Sequence, residues 1–135
     1  MVKGEKLWKS QRGQSLVELA LTLPVIILVL FGILEFGRIS YSYIVITHAA
    51  REGARAGAVG KTDAEIVATI RETAPLPNAD TNLHITKLEP SESARTSGLP
   101  LTVEVAYDVE LVTPLFDKLL PNPFTLKSRV TMRIE

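Results

Sequence analysis

One uninterrupted apolar run near the N-terminus constrains this chain more than any other feature. Residues 16–34 read LVELALTLPVIILVLFGIL, about 19 residues, which at ~1.5 Å rise per residue span about 28 Å, close to the hydrocarbon core of a bilayer. A helix that is apolar on all sides could instead be buried in a large soluble protein, but 135 residues leave too little chain to surround it. The sequence therefore predicts one transmembrane helix.

The charges that precede the run predict its orientation. Under the positive-inside rule a basic cluster stays in the cytoplasm, so the C-terminal part is expected outside, in a single-pass protein of the cytoplasmic (inner) membrane. A cleavable secretory signal peptide is the alternative; its apolar region would be shorter, and the nearest small-x-small site, Ala54 to Ala56, lies far downstream. The basic residues are Lys3, Lys6, Lys9 and Arg12.

The helix is expected to continue beyond the bilayer as a stalk. Glu35 and Arg38 can pair at i, i+3 near the outer interface. Tyr41 and Tyr43 fit an interfacial aromatic belt. The chain then continues without proline to Gly60, where we expect the helix to end.

The stalk carries two ridges of small residues at a spacing of four, a pattern that lets helix backbones approach closely. An alanine-rich, helix-forming segment is the simpler interpretation. Glycine costs helix stability, however, so two glycines in register favour close packing against another helix. The ridges are Ala49, Gly53, Gly57 and Ala50, Ala54, Ala58.

The remaining residues predict a short helix and about three strands. Residues 62–65, Thr-Asp-Ala-Glu, have the form of a capping box, and prolines at 75 and 77 end the helix that it opens. The extended segments are 83–88, then 101–111, which alternates strictly between apolar and polar residues, and 124–134, whose apolar residues lie on one face and whose basic residues lie on the other. The segment 89–98 reads as a solvated loop, and 113–123 as a connection with a helical turn around Phe116 and Leu119.

Complementary charges predict how the strands pair. The outer face of the second strand is acidic and that of the third is basic, so the two are expected to be neighbours. We expect an α+β fold, with the short helix and the base of the long one covering a small antiparallel sheet. The predicted divisions are a basic cytoplasmic leader at 1–13, a transmembrane and stalk helix at 14–60, and an extracytoplasmic domain at 61–135.

One carboxylate lies inside the apolar run. Glu18 is four residues after Gln14, about 6 Å into the run, where an ionised side chain needs a partner or must snorkel to the interface. Snorkelling is physically adequate at that depth. The setting is more specific, because a basic leader, Gly13 and then Gln14-Ser15-Leu16-Val17-Glu18 precede the apolar helix. This order resembles the class III signal of type IV pilin-like proteins, which a prepilin peptidase cuts after the glycine.

A longer pattern resembles the TadE-like family of the tight-adherence (Tad/Flp) pilus machinery, whose N-terminal signature is RRGQSxVExALxLPxxxxxxxGxxExGR followed by AAREGAR. The resemblance covers roughly residues 12–58. The matching residues are Arg12 to Ser15, Val17, Glu18, Ala20, Leu21, Leu23, Pro24, Gly32, Glu35, Gly37, Arg38 and Ala49 to Arg55.

The resemblance implies a pilin-like minor subunit, or pseudopilin, of a pilus assembly system. It implies that Gly13 and Gln14 form a processing site for a prepilin peptidase. It also implies that Glu18 offsets the freed α-amino group of Gln14 on an adjacent pilin-like subunit, through contacts of the N-terminal helix. The alternative is an uncleaved membrane scaffold of the pilus or secretion platform that docks partners through its outer domain.

A membrane-tethered enzyme or binding module is a third class, with little support. His48 and His84 lie on different elements without a ligand-spaced companion, and the chain has no cysteine. The carboxylates at 104, 108 and 110 could bind a cation, but basic strand residues are available to pair with them. Because the formal net charge is zero, no nucleic-acid partner is expected. We expect no enzymatic activity, cofactor, metal or small-molecule substrate.

Overall fold

The structure, a computed structural model, begins with one long helix. It describes the backbone of residues 5–135 and the side chains from residue 13 onward, so the basic side chains of the predicted leader lie outside the described part. Helix α1 runs from Glu5 to Ala58 and contains Pro24. The chain divides into two compact units, one ending at Phe36 and the other Gly37–Glu135. The boundaries predicted at 13 and 60 stay predictions.

The end of α1 follows from a glycine. Gly60 adopts a φ of +86°, the left-handed region that glycine tolerates. Its N–H donates to the carbonyl of Gly57 at 3.1 Å, and the N–H of Lys61 donates to the carbonyl of Ala56 at 3.1 Å. This pair of hydrogen bonds is a Schellman motif and satisfies carbonyls that the helix end would otherwise leave unpaired.

A second helix and a three-stranded sheet follow. The capping box is confirmed: the Thr62 side chain accepts from the Glu65 N–H, and the Glu65 carboxylate accepts from the Thr62 N–H at 2.9 Å. The other elements are α2 Asp63–Thr73, α3 Ala79–Asn82, β1 Leu83–Glu89, β2 Pro100–Val109 and β3 Phe124–Arg133, with 3-10 turns at Glu92–Ala94 and Phe116–Lys118. The α+β fold and the helical turn in the last connection are thereby confirmed.

The sheet is antiparallel with the order β1-β2-β3. Glu104 of β2 lies opposite Arg129 of β3, as the complementary charges predict. Arg129 Nε donates to the Glu104 carboxylate at 2.8 Å. Thr86 of β1 donates to the same carboxylate at 2.7 Å, so Glu104 joins both outer strands.

The core of the second unit lies between the sheet, the C-terminal part of α1 and helix α2. Ile46 of α1 and Ile66 and Ile70 of α2 are fully buried, together with the inward face of β2. The predicted packing of the short helix and the base of the long helix on one sheet face is therefore observed. The core residues of β2 are Leu101, Val103, Val105, Tyr107 and Val109.

The segment 89–98 is not simply the solvated loop that its composition predicts. The Arg95 side chain is 7% exposed and forms an ion pair with Asp63 at the start of α2. Its guanidinium also donates to the carbonyls of Pro90 and Lys61, each at 3.2 Å. The Glu92 carboxylate accepts from the Asp63 N–H at 3.0 Å. Charge-assisted hydrogen bonds therefore hold this loop against the start of α2. Such bonds are stronger than hydrogen bonds between neutral groups.

Candidate functional site

The apolar part of α1 presents its side chains outward. Every residue from 13 to 31 is exposed, including Leu21 and Leu30 at 72% and 55%. Burying a large apolar side chain is worth about 1.5–3 kcal/mol, so this surface requires lipid or other apolar helices around it. By length and composition, Gly13–Ala58 is the one helical segment among the described residues that could cross a membrane.

The predicted processing and assembly residues occupy the first turns of that segment. A Cβ added at Gly13 would have no neighbouring atom within 4 Å, so the space around this glycine is open. Gln14 and Glu18 are four apart in a helix, which sets them on one face. Both are exposed. The Glu18 carbonyl accepts from the Thr22 hydroxyl at 2.8 Å, a bond within the helix.

The two charged residues that follow the run differ in exposure. Glu35 is 5% exposed, whereas Arg38 is exposed. Arg38 Nη2 donates to the backbone carbonyl of Glu110 at 3.2 Å, just after β2 ends. The expected pairing of Arg38 with Glu35 stays a prediction. The Glu110 contact was not foreseeable, because the two residues are 72 positions apart in sequence.

The small-residue ridges lie inside the second unit. A Cβ at Gly53 would lie 2.5 Å from Ile70 Cγ1, and one at Gly57 would meet the Leu101 and Ile66 side chains. Both glycines therefore allow α2 and β2 to approach α1. The remaining ridge residues Ala49, Ala50, Ala54 and Ala58 are also buried. Close packing occurs here within the chain, so the ridges do not offer a free surface to a neighbouring helix.

A second face of the stalk lies outside the core of the second unit. Its side chains line a shallow, open groove along α1. Tyr43 and Ile44 are 48% and 66% exposed. Helical spacing in the sequence could have identified this face, because its residues fall between the positions that are buried. The lining residues are Tyr43, Ile44, Thr47, His48 and Arg51.

The carboxylates considered for a cation lie on or just after β2 and have partners among their neighbours. Asp108 accepts from the Thr125 hydroxyl at 2.6 Å and lies 3.4 Å from His84 Nε2. Asn82 Nδ2 donates to the Glu110 side chain at 3.5 Å. Hydrogen bonds from Thr86 and then Arg129 hold the pKa of Glu104 below its ordinary value. Among the described residues, no group of three or more His, Cys, Asp or Glu side chains could hold a metal ion.

One protein family matches the part of α1 that carries Gly13, Gln14 and Glu18. The family described as TadE-like protein matches residues 13–55. The resemblance to the TadE-like family predicted from the sequence is therefore confirmed over this segment. No curated protein and no solved structure matches the chain.

Proposed function

We propose that this chain, whose residues 13–55 are TadE-like, is a pilin-like minor subunit (pseudopilin) for assembly of a Tad/Flp type IV pilus. The observation that carries the proposal is the family match, which includes both Gly13 and Glu18. The role is structural rather than catalytic. α1 anchors the protein in the cytoplasmic membrane, and its exposed apolar surface becomes the packing surface of a helical assembly.

Processing would create the charge that Glu18 needs. Cleavage after Gly13 by a prepilin peptidase frees the α-amino group of Gln14, which is then cationic near neutral pH. Within one chain this group lies one helical turn before Glu18. On an adjacent subunit shifted along the helix axis, the amino group can contact Glu18 directly. A carboxylate and an ammonium group excluded from water stabilise each other only when paired, so the pair would select the register between subunits.

Contact between subunits would continue along the second face of the stalk. The ridges face the chain's own α2 and β2, so a neighbouring subunit would meet the groove from Tyr43 to Arg51 instead. This groove combines an aromatic ring, an aliphatic side chain and a cation. Aromatic and Arg side chains are frequent energetic centres of protein interfaces.

An uncleaved scaffold is the second candidate, and one observation favours it. Helix α1 begins at Glu5, so Gly13 lies within a hydrogen-bonded helix and not before one. A peptidase would have to unwind that turn to reach the peptide bond. If it does not, the protein keeps its leader and remains in the membrane, where it docks partners of the pilus platform through its outer domain.

Intact mass of the protein from native membranes, with Gly13→Ala as the control, separates the two candidates. Loss of residues 1–13, abolished in Gly13→Ala, is expected for the pseudopilin. A full-length mass in both proteins, together with normal piliation in Gly13→Ala, would overturn processing and leave the scaffold.

A second experiment tests Glu18 itself. We expect Glu18→Ala to abolish pilus assembly, because a desolvated ammonium group would lose its partner. Thr22→Ala is the matched control, since Thr22 lies one turn further along the same exposed face. Unchanged piliation in Glu18→Ala would contradict the assembly role, as would equal loss in both variants.

A further inference from the structure

A second apolar surface lies in the connection between β2 and β3. We call residues 112–121 the apolar loop. Val112 and Leu119 are 72% and 71% exposed, and Leu115 and Leu120 are also exposed. Single exposed apolar residues are ordinary on a protein surface, whereas four in ten residues of one loop indicate a binding surface.

The exposure of these side chains is built into the loop. The N–H of Leu111 donates to the Asn122 side-chain oxygen at 3.1 Å, which joins the two ends of the loop. Asn122 Nδ2 donates to the Asp117 carboxylate at 2.8 Å, which ties the 3-10 turn to the same point. Leu111 itself is buried at 6% exposure. The two ends of the apolar loop are therefore held together, while the leucine side chains between them are exposed to solvent.

The position of the loop follows from the direction of β2 along α1. At one end, the Leu101 side chain occupies the space beside Gly57. At the other end, Glu110 accepts from Arg38 at 3.2 Å. From 57 back to 38 the helix advances about 28 Å, and from 101 to 110 the strand advances about 30 Å. β2 thus runs back along the stalk, and the apolar loop lies at the end of the domain where residue 37 enters.

That end of the domain is the one next to the apolar run in the sequence. Arg38 follows Leu34, the last residue of the run, by four positions, about one helical turn. Tyr41, 56% exposed, follows within the next turn and suits the polar–apolar interface of a bilayer. The loop's cation, Lys118, is exposed and has a long apolar stem, so it can reach lipid phosphates while its neighbours are immersed.

We propose that the apolar loop inserts into the outer interface of the bilayer that α1 crosses, as a second membrane contact of this chain. The inference rests on the membrane anchoring in the proposed function, but not on processing or pilus assembly. Lipid is the occupant because the loop lies at the end of the domain that contains Arg38, and Arg38 follows the last residue of the apolar run by about one helical turn in the sequence. The loop would hold the outer domain against the membrane.

Site-specific fluorescence on the full chain tests this contact, since the protein has no cysteine of its own. Leu119→Cys carries a polarity-sensitive probe in vesicles of phosphatidylethanolamine and phosphatidylglycerol that contain nitroxide-labelled lipid. Leu99→Cys is the matched control, because Leu99 is 43% exposed and immediately precedes β2, at the opposite end of the sheet. Leu28→Cys, within the apolar run, reports on the anchor separately.

We expect the probe at 119 to be blue-shifted, quenched by shallow nitroxide lipids and protected from aqueous iodide, with the probe at 99 showing the reverse. A probe at 119 that iodide quenches, with the probe at 28 embedded, overturns the loop contact while leaving the anchor intact. Protection from iodide without nitroxide quenching also overturns it and indicates a protein occupant. A probe at 28 in water overturns both the anchor and the loop contact.

Discussion

At the scale of single residues, glycine positions show what sequence can and cannot identify. The register of Gly53 and Gly57 predicts close packing, and both lie where a Cβ would meet a neighbouring side chain. The identity of the neighbour was not predictable, because spacing along one helix carries no record of the surface it meets. Here the partners are the helix α2 and the strand β2 of the same chain.

Gly53→Ala tests this packing. The added methyl group would lie 2.5 Å from Ile70 Cγ1, and both residues are buried, so one of them must move. Overpacking of this kind typically costs about 1–3 kcal/mol. We expect the free energy of unfolding of the outer domain to fall by that amount, measured by amide hydrogen exchange of α2 and β2 in the detergent-solubilised full chain.

Gly37→Ala is the matched control in the same helix. A Cβ at Gly37 has no neighbouring atom within 4 Å, so the substitution only improves helix propensity. The expected effect is stabilisation of about 0.5–1 kcal/mol. If Gly53→Ala and Gly37→Ala stabilised the protein equally, Gly53 would have no packing role. The conclusion that α1 and α2 approach closely at Gly53 would then be wrong.

At the scale of elements, the strands with strict alternation were predictable and β1 was less so. β2 and β3 keep a period of two, so their inward faces can be read directly. β1 contains a register shift between Ile85 and Lys87. This bulge moves the core face from Leu83 and Ile85 to Leu88, which breaks the alternation. Bulges depend on pairing with another strand, so one strand's sequence does not reveal them.

The polar contacts of the loops lay further beyond sequence reasoning. Arg95 lies in a segment rich in serine and threonine, which is typical of a solvated linker. Its burial depends on Asp63 and on two backbone carbonyls. The four-residue helix α3 is similarly too short for hydrophobic periodicity to identify. Such features follow from tertiary proximity and not from local pattern.

The bond network of Glu104 predicts acid sensitivity of the sheet. In the folded protein, hydrogen bonds from Thr86 and then Arg129 lower the pKa of this carboxyl below its ordinary value of 4.5. When the pKa of a carboxyl is lower in the folded state than in the unfolded state, the stability that results is fully present at pH values above the unfolded-state pKa. This stability is lost as the pH falls through the folded-state pKa. We therefore expect wild type to be more stable than Glu104→Gln at pH 7, with the difference shrinking below about pH 4.5.

Equilibrium unfolding of both proteins between pH 7 and pH 3 measures this difference. Repeating the comparison in a Thr86→Val background provides the control, because it removes the first cause of the shift. The difference between wild type and Glu104→Gln should then be smaller at pH 7. If the difference in the free energy of unfolding were constant across the pH range, ionisation of Glu104 would contribute nothing to the stability of the sheet.

At the scale of the whole molecule, the sequence predicts the apolar helix and its TadE-like segment more fully than the surfaces proposed to bind subunits or lipid. An apolar run and a motif of fixed order are local features, and both are read directly from residues 13–55. The groove from Tyr43 to Arg51 and the apolar loop become visible only when the domain is assembled. The surface left free by folding is a property of the complete fold.

Orientation in the membrane is the remaining whole-molecule prediction. The basic leader should hold the N-terminus in the cytoplasm, because moving several cations across the bilayer is costly. Single cysteines at Ser10 and at Ser93 report the two sides, in a Gly13→Ala background that keeps the leader attached. We expect a membrane-impermeant maleimide to label Ser93→Cys in intact spheroplasts, and Ser10→Cys only after lysis.

The same labelling tests whether the charges are the cause. Replacing Lys3, Lys6 and Lys9 with Gln leaves Arg12 as the one basic residue before the apolar run. With the bias between the two ends weakened, a fraction of the molecules should insert in the inverted direction. Those molecules expose Ser10→Cys to the reagent before lysis and conceal Ser93→Cys. If the charge-depleted chain keeps one uniform orientation, the outer domain and not the leader determines the topology, and the charge-based orientation argument is wrong.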